Sequence, residues 1–340
     1  MMTSHGRHHG GPDDEGAPVW DFSTNANACG PCPVALHAVQ TAEVTHYPNP
    51  SYRALKLALA GLHKVDAGRV LLAASGSEAI ARLTAWAVQR GVRQVSVPLH
   101  AYGDYASLAQ TWQLEVVREH TADWVWVCDP SSPLGQAWQP LPGAVPAGVT
   151  VLDRAYEPLR LDGEPLLQAL PPAVPHSAWQ LWTPNKALGL TGVRGAYLIA
   201  PLDAEAETQQ LEAMAPSWPL GAHAVAMLHA WTQPSVQRWL AGSRDVLRTW
   251  RSRQRQALEA LGWDCRPSLA NFFCARPPAP VDAVALRAQG IKLRDATSFG
   301  LPGEWRLSVQ PPVAQQALCA ALTAQHATRV DRPGSKETTA

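Results

Sequence analysis

The sequence is short of charge. Only 16% of its 340 residues are Asp, Glu, Lys or Arg, and the 28 basic and 28 acidic side chains cancel to a formal net charge of zero. A chain with no basic excess lacks the electrostatic footprint of a polyanion binder, which disfavours nucleic acid as a partner. An apolar content of 46% with so few charges is the reverse of the composition that leaves a chain disordered. No uninterrupted apolar run approaches the ~18 residues that cross a bilayer. Residues 1–18 are polar and His-rich, without the apolar core of a signal peptide. These absences predict a cytoplasmic protein with no membrane contact. Six cysteines are too few to staple a secreted fold, so most are expected as buried thiols. No repeat of fixed period is present, and the 30 prolines and 24 glycines are scattered rather than gathered into one linker. At roughly 150 residues per domain, the length allows about two domains.

Short apolar runs alternate with helical patterns. Arg69–Ala74, Val95–Leu99, Trp124–Cys128, Gly148–Asp153, Ala178–Trp182 and Arg194–Ala200 read as six strands. One helix is expected from Glu78, with Ile80, Leu83 and Ala87 on one face, and another from about Asp104. Residues 204–262 read as helical, and 281–327 read helix, strand, helix. The alternation predicts an α/β fold, with a mostly parallel central sheet in a large domain and a smaller α+β domain. The expected division is a flexible arm over 1–8, an N-terminal segment over 9–44 packing with the small domain, a large domain over 45–235, a small domain over 236–328 and a disordered tail over 329–340.

Open α/β sheets bind ligands outside the carboxyl ends of their strands. After the first strand come Ser75, Gly76 and Ser77; after the second, His100, Tyr102, Gly103 and Tyr105. After the third come Asp129, Ser131 and Ser132; the fourth ends in Asp153, with Tyr156 close behind; the fifth leads into Thr183-Pro184-Asn185-Lys186. Ser-Gly-Ser at a strand-to-helix turn suits a phosphate, or is a plain N-cap with a turn glycine. Tyr102 offers a face to a flat heterocycle, or fills the core. Asp153 is a partner for a protonated ring nitrogen, or the cap of the next helix. Lys186 begins the apolar, Gly-rich stretch Ala-Leu-Gly-Leu-Thr-Gly-Val-Arg-Gly-Ala-Tyr, a setting for a Schiff-base amine, or is simply solvated. Singly each residue is ambiguous. Together they are the parts that a pyridoxal phosphate site requires.

At these residues the sequence resembles the class I/II aminotransferase group of fold-type I pyridoxal-phosphate enzymes, over about residues 9–327. Lys186 to Tyr197 is similar to the group's K-x-x-G-L-x-G-x-R-x-G-Y. The resemblance implies that Lys186 holds pyridoxal 5'-phosphate and that Arg194, Thr183 and the Ser75-Gly76-Ser77 turn bind its phosphate. It implies Asp153 at the pyridine nitrogen, Tyr156 at the 3′-oxygen and Tyr102 against the ring. Tyr47, in His-Tyr-Pro-Asn-Pro, matches a tyrosine that crosses to the neighbouring subunit's phosphate, implying a homodimer. Arg306, in Trp-Arg-Leu-Ser-Val, matches the arginine that holds the substrate carboxylate.

Within the group, three segments resemble the cobalamin-pathway branch of threonine-phosphate decarboxylases. They are His9-Gly10-Gly11, Asp21-Phe-Ser-Thr-Asn25-Ala-Asn27 and Ser298-Phe-Gly-Leu-Pro302 followed by Arg306. By that likeness His9, Asn27 and Arg294 join Arg306 as substrate-binding candidates, and the implied reaction is decarboxylation of O-phospho-L-threonine, a lyase activity. The alternative is an aminotransferase of the histidinol-phosphate or another class I/II type. The sequence departs from the family at Asp129-Pro-Ser-Ser132-Pro-Leu-Gly135, where N-P-N-N-P-T-G is usual. Ser132 there replaces the Asn that bonds the cofactor's 3′-oxygen. Asn185 also replaces a usual Ser or Thr.

Two other patterns carry less. Cys29-Gly-Pro-Cys32 has the spacing of a redox or zinc half-site, but no strand precedes it and no second pair completes it. Arg244, Arg248, Arg251 and Arg255 share a helix face, which reads as solvated or interdomain. The 14 tryptophans are expected mostly in the core or a dimer interface.

Overall fold

The computed structural model of the chain describes residues 10–118, 122–138, 148–169 and 176–330. The expected arm over 1–8, His9 and residues from 331 lie outside the described residues. A short strand β1 (Trp20–Asp21) precedes the large sheet. That sheet comprises β2 (Val70–Ala73), β3 (Gln94–Ser96), β4 (Glu115–Val117), β5 (Trp124–Cys128), β6 (Val149–Asp153), β7 (Trp179–Trp182) and β8 (Ala196–Ile199). Their order is β2-β8-β7-β6-β5-β3-β4. The pairs β3–β4, β3–β5, β5–β6 and β6–β7 are parallel, while β8 runs antiparallel to both its neighbours. The mixed α/β class with a mostly parallel sheet therefore holds.

The six expected strands are all present; Trp124–Cys128 keeps its bounds and the others shift by one to three residues at their ends. Val95–Leu99 is cut back to Gln94–Ser96, because Pro98 has no N–H to offer a ladder. The strand β4 was not expected; three residues on an edge carry too little pattern to read. The central strands are buried throughout, as the Trp-Val-Trp-Val-Cys run of β5 shows. Trp86 lies edge-on to Trp124 and Trp179, with ring centroids 5.8 and 5.7 Å apart, so these tryptophans are core.

A second sheet follows the long helix Pro234–Ala260. Its strands are β9 (Asp264–Cys265), β10 (Phe272–Arg276), β12 (Arg294–Asp295) and β13 (Trp305–Ser308), in the antiparallel order β12-β13-β10-β9. The strands β9 and β10 lie in 263–280, a stretch to which the periodicity assigns nothing. The strand β11 (Ile291–Lys292) pairs in parallel with β1, which ties the N-terminal segment to this part of the chain. Phe22 joins Leu258, Phe273, Leu307 and Leu318 in one apolar cluster there.

The structure also settles the two side patterns. Cys29 and Cys32 are both free thiols; Cys32 precedes the helix Pro33–Gln40, and burial pushes the Cys29 thiol up to about 11, away from a reactive thiolate. Two arginines of that helix face are engaged with other segments: Arg248 reaches the Leu161 carbonyl, and Arg251 bonds the Ser268 carbonyl at 2.8 Å and pairs with Asp162.

Glu304, immediately before β13, is buried and accepts two bonds from Arg266, each 2.6 Å, and one from Arg276 at 3.2 Å. The Arg266 guanidinium holds its carboxyl below the ordinary value of 4.5, with help from Arg276. A depressed carboxylate adds stability that is present above the unfolded pKa and is lost as pH falls through the folded one. Glu304→Gln is expected to cost about 1–2 kcal/mol at pH 7, with both arginines partly solvated and screened. It should also flatten the loss of stability below about pH 4.5, as measured by urea unfolding across the acid range.

Candidate active site

The sheet topology brings one rim together. Parallel strands β3, β5, β6 and β7 end on that side, and β2 does too, since two antiparallel steps through β8 restore its direction. The antiparallel β8 begins there, with Ala196 paired to Ala73 at the end of β2. Arg194, just before β8, therefore lies beside the turn after β2. A cavity of about 1330 Å³ opens at this rim, bounded on its far side by residues of the second sheet and the N-terminal segment.

Ser75 caps the helix Gly76–Gln89, its Oγ accepting from the Glu78 amide at 3.0 Å, while the Glu78 carboxylate accepts from the Ala74 amide. The helix thus begins at Gly76, two residues before the expected start. Gly76 is held so close to Thr183 that an added Cβ would lie 2.8 Å from the threonine methyl. The turn, Thr183 and Arg194 face the same cavity, and Arg194 has no hydrogen-bond or ion-pair partner among the described residues. Free amides at a helix N-terminus, hydroxyls and an unengaged guanidinium form a phosphate cradle.

Asp153 ends β6 beside Cys128 of β5 and is buried. Its Oδ1 accepts from the Ala155 amide at 2.9 Å and its Oδ2 from the Tyr105 hydroxyl. Burial raises its pKa, and the Tyr105 bond opposes that. It makes no ion pair among the described residues. Lys186, half-buried, points its Nζ toward the Thr183 hydroxyl at 3.5 Å and lies 5.4 Å from the centre of the Tyr156 ring. The Tyr156 hydroxyl accepts from Asn25 at 3.2 Å, and its ring packs on Phe272. Tyr102 places its hydroxyl 3.1 Å from that of Ser77, and burial raises its pKa.

The second sheet supplies the opposite wall. Arg294 and Arg306 are direct cross-strand partners on β12 and β13, and both are buried. Arg306 donates to the Ser23 carbonyl at 3.0 Å and the Ser132 hydroxyl at 3.4 Å, and its Nε has no partner. Arg294 donates to the Asp295 carbonyl and the Ser298 hydroxyl, each at 2.8 Å. Both guanidiniums lie over Phe299, at 4.8 Å for Arg294 and 5.4 Å for Arg306. Burial and the Arg306 charge lower the Arg294 pKa. Like charges directly opposed on a sheet repel, so this pair is arranged for anionic groups from elsewhere.

Thus Ser75, Gly76, Ser77, Tyr102, Ser132, Asp153, Tyr156, Thr183, Lys186, Arg194, Arg294 and Arg306 all line one cavity. Asn27 does not. Its amide is spent on the Ala187 carbonyl and the Ser243 hydroxyl, at 3.0 and 2.9 Å, so it braces the Lys186 loop, and Asn25 takes the place facing the cavity. Tyr47 is also outside, 78% exposed and stacked on Trp218 at 4.5 Å. His9 lies outside the described residues, but Gly10 and Gly11 reach the cavity. Gly10 passes so close to the Ser23 carbonyl oxygen that a Cβ would come within 2.2 Å of it. Sequence reasoning assigned no role to Asn25, Phe299 or Tyr105. Asn25 and Phe299 stand inside the segments that resemble the decarboxylases, and Tyr105 stands among the residues that follow the second strand.

The family model for aminotransferase class I and II matches residues 17–324. A histidinol-phosphate aminotransferase of Symbiobacterium thermophilum is 26% identical over 337 residues, covering 89% of this chain and 89% of its own. Histidinol-phosphate aminotransferase 2 of Pseudomonas aeruginosa is 28% identical, covering 90% of this chain and 89% of its own. Among solved structures, histidinol-phosphate aminotransferase from Sinorhizobium meliloti in complex with pyridoxal-5'-phosphate superposes with a TM-score of 0.72 at 21% identity, covering 90% of each chain. L-threonine-O-3-phosphate decarboxylase from Porphyromonas gingivalis superposes with a TM-score of 0.67 at 21% identity, covering 86% of this chain and 92% of that one. The chain belongs to the aminotransferase class I and II family, pyridoxal-phosphate-dependent enzymes of fold type I.

Proposed function

We propose that the chain is a pyridoxal-phosphate-dependent aminotransferase for a phosphorylated amino compound of the histidinol-phosphate type. The single observation that carries the substrate class is the cross-strand pair Arg294 and Arg306, two buried cations facing the same cavity as Lys186. A phosphate or a pair of anionic groups relieves their repulsion. The relatives of 26–28% identity that bear the histidinol-phosphate aminotransferase name, matched over about nine tenths of both chains, support transamination.

The residues fit the cofactor. A buried carboxylate that makes no ion pair among the described residues, Asp153, would be matched by a protonated pyridine nitrogen. The cradle of Ser75, Gly76, Ser77, Thr183 and Arg194 would hold the phosphate, Tyr102 would meet the ring, and Tyr156 with Ser132 would bond its 3′-oxygen. Bound there, pyridoxal phosphate supplies the electron sink that lets a bond at the substrate's α-carbon break heterolytically. Lys186 anchors it through its amine and is placed to take and return the proton at that carbon. Arg306 grips an anionic group, and Arg294 serves a second one or the same phosphate. Tyr47, exposed and outside the cavity, supports a homodimer in which it reaches the neighbour's phosphate.

A second reading is decarboxylation of O-phospho-L-threonine, favoured by Gly10 and Gly11 at the cavity wall, the segment in which the chain resembles those decarboxylases. The two reactions differ in which bond at the substrate's α-carbon Arg294 and Arg306 would orient for cleavage.

Lys186→Ala is expected to abolish the visible absorbance that survives gel filtration and the cofactor label fixed by borohydride. Retention of both would sink the cofactor assignment. The loaded enzyme is expected to transfer the amino group of histidinol phosphate to 2-oxoglutarate. Sustained CO₂ release from O-phospho-L-threonine without a keto acid, and no transfer in the parallel assay, would establish the second reading instead. Arg306→Gln should raise KM for the phosphorylated substrate about ten- to a hundredfold, as expected for losing charge-assisted hydrogen bonds. An unchanged KM would remove Arg306 from the binding site.

A further inference from the structure

The carboxylate of Asp153 is positioned from behind by a residue that never reaches the cavity. Tyr105 has no exposed surface and is absent from the cavity lining. It stands in the first turn of the helix Gly103–Thr111, directly after Tyr102 at the N-cap. Its ring lies flat on Trp126 of β5, with centroids 4.6 Å apart at 14°, and edge-on to Tyr102, 5.9 Å away at 84°. Two aromatic contacts and the buried sheet face leave the ring no freedom. From that fixed ring the hydroxyl donates to Asp153 Oδ2. The Ala155 amide holds Oδ1.

We propose that Tyr105 is a positioning residue of the active site that acts through Asp153, holding one carboxylate oxygen so that the remaining lone pairs face the bound ring nitrogen. Each carboxylate oxygen accepts about two hydrogen bonds, so one donor on each leaves room for a third from the cavity. A donor to the charged form also keeps a buried carboxylate ionised, which a ring-nitrogen partner requires. Tyr102 and Tyr105 thereby divide the work of one helix turn. The first meets the face of the ring, and the second sets the group at its nitrogen. This assignment rests on the cavity being the pyridoxal phosphate site.

Tyr105→Phe tests it, since the ring and its stack on Trp126 remain and only the hydroxyl goes. In the cofactor-free full-length protein, the infrared band of the protonated carboxyl, identified by its loss in Asp153→Asn, reports the Asp153 titration directly. Removing the donor is expected to raise its midpoint by about one pH unit, a tenfold change in proton affinity. A ring-fluorinated tyrosine at the same position, a stronger donor, is expected to lower it. In the loaded enzyme, Tyr105→Phe should weaken pyridoxal phosphate binding about tenfold and lower kcat with KM little changed. A folded Tyr105→Phe protein with wild-type midpoint and wild-type cofactor affinity overturns the proposal, as does a fluorinated protein whose midpoint stays put. If the wild-type chain takes up no pyridoxal phosphate, the proposed function fails, while the infrared midpoint still decides the Tyr105 contact by itself.

Discussion

A sheet buried on both faces has one place to expose polar groups without cost, the rim where its strands end. Here the strands β5, β6, β7 and β8 are lined almost wholly by buried apolar side chains. Reactive groups therefore gather beyond their ends. The reversed strand β8 adds to this. By entering the sheet antiparallel, it starts at the rim where its neighbours stop, and so delivers Arg194 to the turn that follows β2.

Electrostatics at the rim is left incomplete on both walls. On the large-sheet side, a buried carboxylate is satisfied by an amide and a phenol and makes no ion pair among the described residues. On the opposite side, two buried guanidiniums face each other across a strand pair and share the ring of Phe299. Burying charge in either place is costly to folding. Both become favourable when a cation meets Asp153 and anions meet the arginines. That is the polarity of a protonated heterocycle carrying a substrate with anionic groups.

The N-terminal segment is part of the same enclosure. The strand β1 adds to β11, Phe22 enters the apolar cluster under the second sheet, and the Ser23 carbonyl accepts from Arg306. Gly10 passes close over that residue, where a side chain has no room. Asn25 and Asn27 then split in role although residues two apart share one face of a regular strand, because the backbone through them is not a strand. Asn25 meets Tyr156 across the cavity, and Asn27 turns back to the Lys186 loop.

Strand order of appearance, the turn chemistry after each strand and the Lys186-to-Tyr197 segment are local properties, and the sequence by itself determined them. Buried strands read as apolar runs, and Ser-Gly-Ser before an apolar helix face reads as a cap, because each depends on neighbours within a few residues. Residues that act across the fold were not legible in that way. The register that sets Arg294 opposite Arg306, the split between Asn25 and Asn27, and the reach of Tyr105 to Asp153 across 48 positions depend on distant segments. Short strands such as Asp264–Cys265 owe their existence to a partner strand rather than to their own pattern. Tertiary structure alone decided these, because a hydrogen bond or a cross-strand pair exists only once packing has brought both of its ends to the same place.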